Sequence, residues 1–175
     1  MTATITGCRT ERDQFVFIWG GRYSQWAKFP MRIDGIEYAT CEQFMMAEKA
    51  RMFGDSEAEA AIMATRNPRE QKALGRKVKN FDDSQWVANR EHVAYRGNFA
   101  KFSQNRELRD MLVSSGDKTI AEASPKDSIW GIGMAEDDPY VTDMSRWGLN
   151  LLGKAIMRVR DTLRSEPNPA GGEKK

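Results

Sequence analysis

Asp34-Gly35 lies between the β-favouring triplets Met31–Ile33 and Ile36–Tyr38, and from Cys41 to Val113 the chain reads as helices and the breaks between them. Asp-Gly at the centre of a two-residue loop accepts positive φ at both positions, the requirement of a type I′ turn joining antiparallel strands. A hairpin this short is not stable alone and has to lie on something larger. The chain beyond it is helical. Residues 41–50 form one helix, ended at Gly54-Asp55, and a second covers Ser56 to Thr65. Pro68 opens a third as its first-turn residue. Asp82-Asp83 caps a longer helix running past Trp86 to Phe99 or Phe102, with Trp86, Arg90, Val93 and Gly97 inward at helical spacing. Glu107 to Val113 is a short helix stopped by Ser114-Ser115-Gly116-Asp117, and Thr119 to Glu122 is a short strand entering a loop over 123–138. Phe15 to Trp19 is a strand. A last helix is expected from near Gly148, with Leu152, Ala155, Ile156, Val159 and Leu163 on one face. The fold class is α+β: a single, mainly helical domain over 15–165 with a small sheet or hairpin element. Residues 1–14 form an N-terminal extension, and the Pro/Gly-rich, charged residues 166–175 are expected to be a disordered tail.

Length suits one domain with its own core and no disulfide staples. The two cysteines, Cys8 and Cys41, are far apart and suit a reducing cytosol. With 27 basic against 25 acidic residues the charge is almost balanced, which argues against a dedicated nucleic-acid coat protein. A single histidine, His92, excludes a multi-histidine zinc site, and its polar stretch points it to solvent. The chemistry expected is therefore carboxylate chemistry with no metal and no cofactor. Residues 1–14 carry no signal-like apolar core and no run is long enough to span a membrane, so a soluble cytoplasmic protein with no membrane partner is expected. The oligomeric state stays open.

The helix over 41–50 mixes an acid and an amine into its apolar stripe. Seven steps of ~100° return Lys49 to within roughly 20° of Glu42, about 10 Å further along. Met45 or Met46 fills the gap and Phe53 comes one turn on, whereas Glu48 falls on the other side. Glu42 and Lys49 thus face a rim or a cavity. In a cavity, desolvation raises the carboxyl pKa and lowers the amine pKa, preparing an acid/base and a nucleophile. The competing account is a stem-buried lysine and a first-turn glutamate favouring the helix dipole.

Three further stretches carry polar chemistry. In Ser124–Gly133, glycines at 131 and 133 let backbone approach a ligand, and Asp127 either orients water or a sugar hydroxyl or closes an Asx turn. Trp86 and Trp130 lie near these polar groups and either stack on a planar base or pack in the core, while Trp147 suits a hydrophobic lid on the last helix. Between Arg66 and Lys79 six basic residues (Arg66, Arg69, Lys72, Arg76, Lys77, Lys79) accompany Glu70 alone. With Lys101 they form either a phosphate-binding face or a solvated one. The Gly148–Gly153 stretch opens a helix whose free N–H groups suit an anion, unless Asn150 simply caps it.

Taken in order, Tyr23-Ser24-Gln25-Trp26, Glu42-Gln43 with Ala47 and Lys49-Ala50, Leu74-Gly75-Arg76, Trp86 with Arg90, Lys101-Phe102, Trp130–Gly133 and Gly148–Gly153 resemble the NADAR, or YbiA-like, family of N-glycosidases. The likeness spans roughly residues 15 to 163. Ser-Gln-Trp stands where Ser-Asn-Phe is common, and an acidic insert occupies Ala135 to Asp143. The resemblance implies hydrolysis at C1′ of a ribose 5′-phosphate, on ribosylamino-pyrimidine phosphates of the riboflavin pathway; other members free guanine from ADP-ribose. Carried onto matching positions, it implies Glu42, Trp86 and Asp127 as active-site residues and Lys49 as the amine. Ser24, Trp26, Gln43, Arg76, Lys101, Trp130, Gly131, Gly133 and Asn150 complete the expected substrate contacts.

The chemistry is consistent with that likeness. Breaking a C1′–N bond builds positive charge on the sugar, which a nearby carboxylate stabilises. With an exocyclic amine as leaving group the ribose opens to an imine, and a neutral lysine displaces the amine as a Schiff base that water hydrolyses. Two rivals remain: an ADP-ribosyl-guanine hydrolase using the Arg66–Lys79 face on nucleic acid, and a non-catalytic module that binds ADP-ribose.

Overall fold

Four helices begin where a short polar side chain accepts a free N–H of the first turn. In the computed structural model, which describes residues 11–165, Thr40 accepts from Gln43 N at the head of α1 (Cys41–Met52), and Asp55 from Ala58 N before α2 (Ser56–Ala64). Asn67 accepts from Arg69 N before α3 (Pro68–Gly75), and Asp82 from Gln85 N before α4 (Asp83–Gln104). Two more helices, α5 (Arg106–Ser114) and α6 (Leu151–Ser165), complete the set. β1 (Phe15–Ile18) pairs in parallel with β4 (Thr119–Glu122), from Phe15 opposite Thr119 to Ile18 opposite Glu122. β2 (Met31–Ile33) and β3 (Ile36–Tyr38) form the antiparallel hairpin, with Asp34 at φ 50° and Gly35 at φ 82°, as a type I′ turn needs. The architecture is α+β, with six helices and two two-stranded sheets among the described residues.

The hairpin is tied to the helices by side chains. Gln104, the last residue of α4, exchanges hydrogen bonds with both backbone groups of Arg32, at 2.8 and 2.7 Å. Arg96 bridges Asp34 in the turn and Glu48 on α1, at 2.6 and 3.0 Å. Two large apolar clusters result, beside a smaller one of Ala121, Ala123, Ile132 and Val141. One gathers Tyr38, Phe44, Ile62 and Val93 around α1, and the other Ile18, Phe102, Leu108, Ile120 and Ile156 between the parallel strands and α4 to α6. Trp130 packs against both clusters.

The last helix starts at Leu151 rather than near Gly148. The N–H groups of Gly148, Leu149, Asn150, Leu151 and Leu152 donate to carbonyls of Ile132, Ser128, Gly131, Ile129 and Trp130. These residues are laid against the loop, with Asn150 at φ 50°, so the helix entry offers no cluster of free N–H groups to an anion. Trp147 is likewise no lid on α6. Its ring meets Phe15 edge-on at 5.5 Å and its Nε1 donates to Val141 O, fastening the insert to β1. Residues 11–14 of the expected extension form a 3₁₀ turn. The rest of that extension, Cys8 and the tail over 166–175 lie outside the described residues. Among the described residues no helix is long and apolar enough to cross a membrane.

Candidate active site

Helix α1 presents its first turn to a cavity at the seam of the two clusters. Thr40 Oγ1 donates to Gln71 Oε1 at 2.9 Å, fastening that turn to α3. Glu42 comes next and is 3% exposed. Its Oε2 accepts from Trp26 Nε1 at 3.3 Å, while its Oε1 is buried without a partner. Burial pushes the Glu42 carboxyl up to about 7, against the pull of Lys72, the Trp26 N–H and Arg76. Two turns along, burial and then Arg76 hold the Lys49 amine below its ordinary value, with Asp83 opposing. Its Nζ lies 4.2 Å from the Phe81 ring centre and 5.6 Å from that of Trp86.

Helix α3 can approach because Gly75 has no side chain. A Cβ there would lie 2.0 Å from Met46 Sδ. The close approach puts Lys72 and Arg76 on the cavity that Met45, Met46 and Glu42 line. The far end of β4 contributes Glu122, whose Oε2 is buried without a partner. Burial, reinforced by Asp127 and opposed by Lys72, raises the Glu122 carboxyl to about 7. Asn150 holds this strand end in place: its Oδ1 accepts from Glu122 N at 3.0 Å and its Nδ2 donates to Ile120 O at 2.9 Å. Asp127 Oδ1 accepts from Ile129 N and Trp130 N at 3.0 and 2.8 Å, so Asp127 closes a turn and faces the cavity as well.

The cavity has a volume of about 480 Å³, room for a nucleotide-sized ligand. Eight expected site residues meet there: Ser24, Trp26, Glu42, Lys49, Arg76, Trp86, Asp127 and Trp130. Five do not. Gln43 turns the other way, accepting from Ala39 N and donating to the carbonyls of Ile62, Met63 and Thr65 to seat α2. Lys101 is 1% exposed and donates to Ser24 O at 2.9 Å, so it supports the Ser24 loop from behind. Gly131 is needed for loop packing, since a Cβ would sit 2.7 Å from Glu122 O. Gly133 serves its φ of 74°, and Asn150 is the strand clamp.

Glu122 and Lys72 were missed as individual site residues. Lys72 is hidden in a basic run of which only Arg76 joins it at the cavity, while Arg66, Arg69, Lys77 and Lys79, the last paired with Glu57, are exposed. The signal for Glu122 is a lone acid ending the apolar Ile120-Ala121 pair directly before a glycine-bearing loop. Among the described residues no group of three or more His, Cys, Asp or Glu is placed to hold a metal ion.

The model of the NADAR domain matches residues 17–164, which takes in every cavity residue named above. The chain belongs to the NADAR family. It is 39% identical over 165 residues to N-glycosidase R617 of Acanthamoeba polyphaga mimivirus, covering 86% of this chain and 97% of that protein. It is 27% identical to N-glycosidase YbiA of Escherichia coli K12 over 83% of each chain. The NMR structure of E. coli YbiA superposes with a TM-score of 0.71 at 25% identity, over 87% of this chain and 86% of that one. NADAR membership and this shared fold fit the α+β reading of the sequence.

Proposed function

We propose that this protein is an N-glycosidase that hydrolyses the C1′–N bond of ribose 5-phosphates, with ribosylamino-pyrimidine phosphates of the riboflavin pathway as substrates. The mimivirus and E. coli relatives carry N-glycosidase in their names, which supports hydrolysis of an N-glycosyl bond as the reaction class. The observation that carries the finer reading is Glu42: a buried carboxyl with one oxygen free, in a cavity that also holds cations and indoles. A carboxylate out of solvent stabilises a cationic sugar far better than one in water. Lys72 and Arg76 supply charge for the 5-phosphate, Trp86 a face for the base, and Asp127 an acceptor for ribose hydroxyls or water. Lys49, with its amine pKa lowered, is the candidate for the Schiff base formed when an exocyclic amine leaves. A cytosolic setting suits the buried free thiol of Cys41.

A second reading, release of guanine from ADP-ribosylated nucleic acid, draws on a shallow groove beyond Trp19. That groove adjoins the cavity and reaches Arg12, Pro125 and Glu136, giving space for a longer ligand. The deciding assay is end-point mass spectrometry on wild type and Glu42→Gln, with both substrate types. Free pyrimidine and ribose 5-phosphate from the wild type alone is the expected result. Unmodified guanine with ADP-ribose, at a rate falling steeply with salt, would move the function to nucleic acid. Release from neither, with ligand bound by both proteins, would leave a binding module.

A further inference from the structure

Two carboxyl groups open on the cavity with a buried, unpartnered oxygen, and they stand in different company. Glu42 receives the Trp26 indole N–H and has Lys72 and Arg76 nearby, with Asp127 opposing them. Glu122 receives no side-chain hydrogen bond, and the charges acting on it are Asp127, of like sign, and Lys72. Asp127 disfavours and Lys72 favours ionisation of both, so what sets Glu42 apart is the indole N–H donor and Arg76, which act on it alone and favour its ionised form. Paired carboxyls whose surroundings differ in this way divide into an ionised stabiliser and a proton donor. Asp127 is a poor alternative donor, since one of its oxygens already accepts two backbone N–H groups.

We propose that Glu122 is the general acid of this site, giving its proton to the leaving nitrogen while Glu42 remains ionised beside C1′. The assignment rests on the N-glycosidase reading above. As the C1′–N bond breaks, its electron pair goes to nitrogen, which takes the Glu122 proton. Water then adds to the sugar carbon, directly or through the lysine imine, and the proton it releases returns to Glu122. The base leaves as its free amine, the sugar gains the hydroxyl, and both carboxyls end as they began. Fixing the strand end through Asn150 keeps Glu122 in place for both transfers.

The test compares two leaving groups on the same ribose 5-phosphate: an electron-rich aminopyrimidine and one bearing a nitro group, whose amine departs with little need of a proton. Glu122→Gln is expected to slow cleavage of the first by about a hundredfold or more, the usual worth of a general acid, and of the second by less than about tenfold. Glu42→Gln is expected to slow both alike. Glu122→Asp, which keeps an acid, recovers part of the rate on the electron-rich substrate. If Glu122→Gln does not fold, the same leaving-group contrast is read on Glu122→Asp. Equal loss on both substrates, or no loss on either, overturns the assignment and leaves the N-glycosidase reading intact. A wild type that cleaves neither compound removes that reading, and the acid with it.

Discussion

Replacing Glu42 by glutamine should stabilise this protein at neutral and alkaline pH and leave it nearly unchanged in acid. The folded chain holds the Glu42 proton up to about pH 7, against an ordinary carboxyl value of 4.5. Because the folded state keeps the proton longer than the unfolded chain, stability linked to this group is complete below 4.5. It is lost as pH rises through 7. That difference in proton affinity corresponds to about 3 kcal/mol once Glu42 is ionised, at ~1.4 kcal/mol per pH unit. Glutamine has nearly the same shape and carries no charge at any pH. The variant should therefore match wild type near pH 4, draw ahead between 4.5 and 7, and hold a steady advantage beyond. Urea unfolding at pH 4, 6 and 8 reads this directly, and at a slope of about 2 kcal/mol per molar the midpoint should move by about 1–2 M at pH 8. A midpoint difference independent of pH would refute the reasoning, because it would mean that water solvates the ionised carboxylate in the folded protein. The same variant should lose turnover, giving the exchange of stability against activity expected where a charge is buried for chemistry.

Two other substitutions test the same geometry. Trp26→Phe removes the indole N–H from Glu42, so the carboxyl keeps its proton to higher pH, and the acid limb of kcat/KM should shift upward with rate recovering above pH 8; an unmoved limb would show that this donor does not tune Glu42. Gly75→Ala forces a methyl against Met46 Sδ and Cγ and should cost about 1–3 kcal/mol in urea unfolding, part of it regained with Met46→Ala; an unchanged midpoint would show that Met46 turns aside freely.

The parts of the fold set by neighbours in sequence were legible in the chain. The Asp34-Gly35 turn, the cap at Asp82, the helix start at Pro68 and the strand at Thr119 to Glu122 depend on local residues, and each lies where local chemistry puts it. The α6 boundary depends on partners well outside the helix: the N–H groups that would have begun it near Gly148 are taken by carbonyls of the 128–132 loop. Side-chain direction within a mixed helix face was also hidden. Glu42 and Gln43 are adjacent and equally buried, yet one lines the cavity and the other holds the end of α2, a choice made by where α2 packs. Lys101 resembled a surface cation until Phe29 and Phe102 closed around it. Glu122 enters the site only through the parallel pairing of β4 with β1, which joins segments about a hundred residues apart.

The run of hydrogen bonds from 148–152 to the carbonyls of 128–132 has a further consequence for how this protein can diverge. Both ends of the intervening chain are stitched together beside Asp127 and α6, so the segment 135–143 leaves and returns through a fixed doorway. Its length and charge can then change without moving a carboxyl in the cavity. It borders the groove beyond Trp19 through Ala135, Glu136 and Asp137, facing whatever part of a ligand extends out of the cavity. This makes it an exchangeable cassette: swapped between relatives, it should carry ligand preference with it while the chemistry stays behind.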